Sequence, residues 1–252
     1  MLDERDDYHL RLLVDDGIEV VPVPSLVHMR HSLVIADQGT GFARVIREVP
    51  APPVVPVDEH SVAASVEHID PGGLLVLSGS LPATAPTGTY AQIIDWVSSR
   101  GTEVLLDCAG APLRAALPRR PSMVKLNRSE AADVTGQAVE DEDGAWAAVD
   151  ALTASGAESC IITGGPRGAV GRVGGRDWSV KVPALPDDLG AGAGDAFAAA
   201  LAVGWVRDDP WQDRLAAAAE LGAASTRIIG AGVLPESWPS ADELGIQVRE
   251  GR

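Results

Sequence analysis

Seven apolar runs, each about the length of a strand, punctuate the chain. They are "IEVVPV" (18–23), "HSLVIAD" (31–37), "ARVIREV" (43–49), "LLVLSG" (74–79), "EVLLDC" (103–108), "SMVKLN" (122–127) and "SCIITGG" (159–165). From residue 74 onward they alternate with segments of helical period. In "YAQIIDWVSSRG" Ile93, Ile94 and Val97 share a face before Gly101. In "EDGAWAAVDALTASG" Trp146, Val149 and Leu152 do the same before Gly156. Near-continuous apolar strands alternating with helices predict an α/β fold, doubly wound, with a mostly parallel sheet and helices on both faces. Residues 18–50 have runs without helices between them and predict a small antiparallel β patch or lid. "PAPPVVPVDEH" (50–60) is a proline-rich connector. The main α/β core is expected over 60–235, within one domain spanning 1–252. The tail "SWPSADELGIQVREGR" is polar and reads as peripheral.

Composition narrows the picture. Of 252 residues 46% are hydrophobic, enough for one substantial core, and every apolar run is too short or too interrupted to span a membrane. The acidic start "MLDERDDYHL" is unlike a secretory or transit peptide. A formal net charge of −16 argues against nucleic acid or an anionic membrane as partner, but not against a small anionic ligand held by a few local donors. The two cysteines, Cys108 and Cys160, fall within apolar runs and read as buried free thiols. A cytoplasmic protein is the expectation.

The chemistry concentrates in "GAGAGDAFAAALAVG" (190–204), a loop of small residues leading into an apolar helix. A dinucleotide fingerprint would need a third glycine where Asp195 stands, and a carboxylate there would repel a pyrophosphate. A Walker loop would need Gly-Lys-Ser/Thr, which the chain lacks. Two readings remain. The backbone N–H groups of Gly192, Ala193 and Gly194 can converge on an anion at a helix N-terminus, with Asp195 taking the proton of a hydroxyl that attacks a bound phosphoryl group. Alternatively, the stretch is a glycine-rich turn with Asp195 as a helix cap.

Other loops bear on that choice. "VKLNRSE" puts Asn127 and Glu130 three apart where a strand opens into a helix. The pair can hold Mg²⁺, directly or through waters, or form a capping box. "ITGGPRGAV" (162–170) offers Thr163 to a phosphate, or is a plain hairpin turn. "LSGSLP" (77–82) ends a strand in a tight turn without the hydrolase elbow pattern. If the strands run parallel, these loops share the edge where ligands of such sheets bind.

Taken in order, "SGSLP", "LLDCAGAPLRAAL", "VKLNRSE", "ITGGPRGAV" and "GAGAGDAF" resemble the PfkB (ribokinase-like) carbohydrate kinases over roughly residues 16–235. The nearest branch holds 1-phosphofructokinase, the minor 6-phosphofructokinase and tagatose-6-phosphate kinase. The resemblance implies a doubly wound α/β domain with a small β lid. It makes Asp195 the base toward a sugar hydroxyl, and Gly192, Ala193 and Gly194 the anion hole. It puts Lys125, Asn127 and Glu130 on the ATP phosphate and Mg²⁺ side. Thr163, Gly165 and Gly168 match the nucleotide loop, and Arg30 matches an arginine that opens a lid strand. The segment "LAAAAELGAASTRIIGAG" (215–232) resembles the helix and turn beside the adenine. Some relatives bind K⁺ near this loop, and a homodimer through the lid is a further implication.

The sequence departs from the family pattern in places. Leu189-Gly190-Ala191 replaces the usual Asp/Asn-Thr-x, with acids at Asp187 and Asp188, and Leu126 replaces a proline. The family's first strand, its sugar-binding aspartate and its G-G-K-G-x-N segment would precede residue 1, which predicts an N-terminally shortened form. The implied function is ATP-dependent phosphorylation of a phosphorylated ketose, fructose 1-phosphate or fructose 6-phosphate. The rivals are a non-catalytic relative that binds nucleotide or sugar phosphate, and another sugar or nucleoside kinase of the superfamily.

Overall fold

The computed structural model describes residues 4–20, 32–37, 42–47, 66–67, 69, 71–81, 85–183, 192–227 and 234–252. Helix α1 spans Glu4–Asp15. Strands β1 (Ser32–Asp37) and β2 (Phe42–Arg47) pair antiparallel, Ser32 opposite Arg47 through Asp37 opposite Phe42. This is the antiparallel patch expected there. Residues 21–23 of the "IEVVPV" run lie outside the described residues.

A seven-stranded sheet follows, with its strands in chain order. Strands β3 (Leu74–Ser78), β4 (Glu103–Asp107), β5 (Met123–Asn127) and β6 (Cys160–Thr163) pair parallel. Helix α2 (Thr89–Ser98) links β3 to β4, α3 (Gly110–Ala116) links β4 to β5, and α4 (Arg128–Thr135) and α5 (Glu142–Ala154) link β5 to β6. Strands β7 (Ala169–Val173), β8 (Arg176–Lys181) and β9 (Gln247–Glu250) then extend the sheet antiparallel. Helices α6 (Ala193–Val206) and α7 (Trp211–Ser225) lie between β8 and β9 in the chain.

The unbroken apolar runs have a direct cause. Successive side chains of a strand point to opposite faces, and here both faces are covered. Val104, Leu106, Val124, Leu126 and Ile162 pack under α2–α5 with Ile94, Leu113, Trp146 and Val149. Their neighbours Leu105, Met123 and Ile161 pack on the other face with Phe197 and Leu201 of α6 and Leu215 of α7. Cys108 and Cys160 are buried and free, and burial pushes their thiols up to about 12 and about 11, so both are inert at neutral pH. Among the described residues no helix is long and apolar enough to cross a membrane.

The tail corrects one expectation. It is exposed, but it is also structural: Gln247–Glu250 adds an edge strand to β8. Arg252 then bonds Asp150 of α5 and Asp177 of β8.

Candidate functional site

The parallel register aligns the carboxyl ends of the strands. Ser78 lies beside Asp107 and Asn127 beside Thr163, while the pairing of Leu106 with Val124 brings Asp107 alongside Lys125. The loops after β3, β5 and β6 therefore open on one edge, the ligand-binding edge of open α/β sheets.

Lys125 is only 4% exposed. Its ammonium donates to Asp107 Oδ2 at 2.6 Å. Burial raises the Asp107 carboxyl above its ordinary value. The attraction of Lys125 works against that shift, and the nearby charges of Glu130 and Asp195 add to it. Sequence reasoning passed over Asp107. The available signal was an acid ending a continuous apolar strand, "EVLLD", at the carboxyl edge.

Helix α6 starts against the same ammonium. A Cβ on Gly194 would stand 3.0 Å from Lys125 Nζ, so the missing side chain is what lets the helix approach this closely. Gly192 is the N-cap, at φ 85°, a left-handed conformation that glycine adopts without steric cost. The first intrahelical backbone bond runs from the Ala196 N–H to the Gly192 carbonyl, so the preceding amides of the turn have no intrahelical acceptor. Asp195 is exposed in that turn. Gly192 makes no side-chain cap, and among the described residues Asp195 forms no hydrogen bond or ion pair, so this carboxylate does not cap its helix. Gly222 of α7 supports the turn from behind: a Cβ there would meet the Ala193 carbonyl oxygen at 3.3 Å.

Asn127 and Glu130 form the capping box that their spacing allowed. Asn127 Oδ1 accepts from the Glu130 N–H at 2.9 Å, and Glu130 Oε2 accepts from the Asn127 N–H at 2.8 Å. The Asn127 amide NH₂ and Glu130 Oε1 are not used in it. Thr163 likewise stands in the hairpin its sequence permitted. It pairs with Ala169 of β7, and its hydroxyl donates to the Leu126 carbonyl at 3.3 Å. Gly165 opens a 3₁₀ turn, Gly165–Arg167, and Gly168 follows it; the Gly164 N–H closes the turn by donating to the Gly168 carbonyl at 2.7 Å.

Arg30, residues 184–191 with Asp187 and Asp188, and residues 228–233 lie outside the described residues. Among the described residues no group of three or more His, Cys, Asp or Glu is placed to hold a metal ion. Among the described residues the site brings together a buried ammonium, helix-start amides with no intrahelical acceptor and a carboxylate with no partner. Those are the donors and the acceptor that a phosphate chain and an attacking hydroxyl require.

Comparison with known proteins identifies the family. The model of the pfkB family carbohydrate kinases matches residues 3–238. The chain belongs to that family. It is 39% identical over 150 residues to 1-phosphofructokinase of Xanthomonas campestris pv. campestris, a match covering 56% of this chain and 47% of the relative. The chain thus matches about half the length of that curated relative. Its fold resembles that of Escherichia coli phosphofructokinase-2 in complex with potassium, at TM-score 0.80 and 24% identity, covering 95% of this chain and 76% of that one. It also resembles Arabidopsis thaliana ribokinase complexed with ribose and ATP, at TM-score 0.63 and 21% identity, covering 86% and 68%.

Proposed function

We propose that the chain transfers the terminal phosphoryl group of ATP to a phosphorylated ketose, fructose 1-phosphate or fructose 6-phosphate. The observation that supports this best is the unpaired Asp195 carboxylate, in the same glycine turn that abuts the buried Lys125 ammonium. Asp195 accepts the proton of the attacking sugar hydroxyl. The hydroxyl oxygen forms its bond to the terminal phosphorus as the bond to the bridging oxygen breaks, and ADP leaves with that electron pair. The amides of Gly192, Ala193 and Gly194 and the Lys125 ammonium stabilise the charge on the transferring group.

Thr163, Gly165 and Gly168 line the nucleotide side in this reading, and Arg30 contacts the sugar phosphate. Mg²⁺ bound with the nucleotide supplies charge neutralisation across the phosphates, and Asn127 and Glu130 are the residues that would hold it. The potassium named with the E. coli protein is the reason to test K⁺ here. A tetrameric form is named for the same protein, which makes association through the β1–β2 strands a companion proposal.

The test is a coupled ADP-release assay on the full chain with fructose 1-phosphate, fructose 6-phosphate and tagatose 6-phosphate. Sugar-dependent ADP release on the first or second supports the reading. Mg·ATP binding without any sugar-dependent turnover would replace it with a binding-only relative.

A further inference from the structure

On the α4–α5 face of the sheet lies a cavity of about 210 Å³, lined by Arg128, Glu142, Arg167, Ser179 and Lys181 among others. Its position follows from strand alternation. Trp178 and Val180 of β8 are buried with α6 and α7, so Ser179 and Lys181 project to the opposite face. The cavity and the Gly192–Asp195 turn are therefore served by opposite faces of the sheet, and Pro166 and Arg167 of the Gly165–Arg167 turn form part of the cavity wall.

The charge of this lining stands out. The chain carries a formal −16, yet here three cations meet one carboxylate, leaving the lining two charges positive. Arg128 and Arg167 converge on a single acceptor: the Nη1 atoms of both donate to the Glu140 carbonyl, at 3.0 and 2.7 Å, and Arg128 Nη1 also donates to the Asp141 carbonyl at 2.8 Å. Burial and then the repulsion of Arg167 lower the pKa of Arg128, and the carboxylates of Asp141 and Glu142 work against them. Fastening the α4–α5 loop accounts for the two Nη1 atoms and nothing more. Arg128 Nε is buried against Gly164 without a partner, so the donors open to a ligand are the remaining guanidinium nitrogens and Lys181, which has no ion pair among the described residues.

We propose that this cavity, which shares Pro166 and Arg167 with the 163–168 loop but lies on the opposite sheet face from the Gly192–Asp195 turn, is a second anion site that takes one phosphate-type dianion. A volume of about 210 Å³ falls below the roughly 300–1,000 Å³ of pockets for drug-sized ligands. It suits a phosphate or the phosphoryl end of a small ester rather than a whole nucleotide. Guanidinium groups present forked donors to such an oxyanion, and Lys181 adds a mobile point charge. Net positive charge that is only partly matched by Glu142 favours a dianion over a monoanion.

The experiment is calorimetric titration of the full chain with inorganic phosphate. Mg²⁺ and a non-hydrolysable ATP analogue are kept saturating, so that the Gly192–Gly194 turn is occupied. The site predicts phosphate binding that persists with the analogue bound. It should weaken at least about tenfold in the Arg167→Gln/Lys181→Gln double variant and stay unchanged in Arg120→Gln, a distant exposed control. Both site residues are exposed, and each single variant gives the same readout at a smaller scale. Absence of phosphate binding overturns the proposal. So does binding that the double variant retains, and so does loss of binding when the analogue is added, which would make the nucleotide's own phosphates the occupant. The readout is binding alone, so the result stands apart from whether the chain turns over a sugar.

Discussion

Asp107 and Lys125, on neighbouring parallel strands, form an almost solvent-free ion pair directly below the turn that carries Asp195: Nζ to Oδ2 is 2.6 Å, with side chains 12% and 5% exposed. Removing one partner of such a pair leaves an uncompensated buried charge, which costs about 3–5 kcal/mol. Asp107→Ala should therefore lower unfolding stability by that order in a urea titration. Lys125→Met also removes the ammonium that faces Gly194, so it should weaken Mg·ATP binding as well. A folded Lys125→Met variant with unchanged ATP affinity would remove Lys125 from the phosphate site.

Gly168 has a structural duty of its own. It sits at φ 76°, and a Cβ there would come 1.9 Å from the Val180 carbonyl oxygen. Gly168→Ala must shift backbone against β8, so a loss of about 1–3 kcal/mol is expected, the range for overpacking and backbone strain. The check is thermal unfolding without ligand. Gly165→Ala, which meets only open space, pays for its φ of 57° alone and should cost less. Equal stability of Gly168→Ala and wild type would refute the close approach.

Much of this fold was legible because packing on both faces of a sheet writes continuous apolar runs into strands. β3 through β6 and helices α2 and α5 fell where the pattern placed them. The antiparallel extension was harder to see. β8, "RDWSVK", carries charges at exposed positions, and β9, "QVRE", is an edge strand with little to bury. At the site, glycine spacing located the start of α6 and Asp195. Asp107 stayed hidden because its role depends on Lys125, a neighbour across the sheet, and sequence spacing carries no such register. The Asn127–Glu130 spacing fitted a capping box and a metal pair equally, since both demand polar groups three apart on a first helical turn.

The C-terminus is held by charge. Arg172 and Arg252 each bond both Asp150 and Asp177. Hydrogen bonds from these arginines hold both carboxyls below their ordinary range, Arg252 contributing most at Asp150 and Arg172 most at Asp177. A depressed carboxyl pKa stabilises the fold above its unfolded value of about 4. That contribution is lost as pH falls through the lower folded value. Stability should thus drop as pH falls below about 4 more steeply in wild type than in Asp150→Asn/Asp177→Asn. Partial exposure keeps the difference to about 1 kcal/mol. Parallel acid titrations at low and high salt check it, and salt should shrink the gap.

Asp195 separates stability from chemistry. It is exposed, caps nothing and has no ion pair among the described residues, so Asp195→Asn should leave the unfolding midpoint within about 0.5 kcal/mol of wild type. If it takes the sugar proton, the same substitution should lower kcat by at least about 10²-fold, the scale of general-base loss. Affinity for Mg·ATP should hold or rise slightly, because one negative charge leaves the neighbourhood of the phosphates. Asp195→Glu tests placement: the same carboxylate displaced by one methylene should also lose most of the rate, since positioning supplies much of phosphoryl transfer. Steady-state kinetics with both substrates, paired with nucleotide titration and thermal unfolding, reads all three quantities. Unchanged turnover in Asp195→Asn would dismiss Asp195 as the base. A fall in kcat matched by an equal fall in stability would assign it a structural role instead.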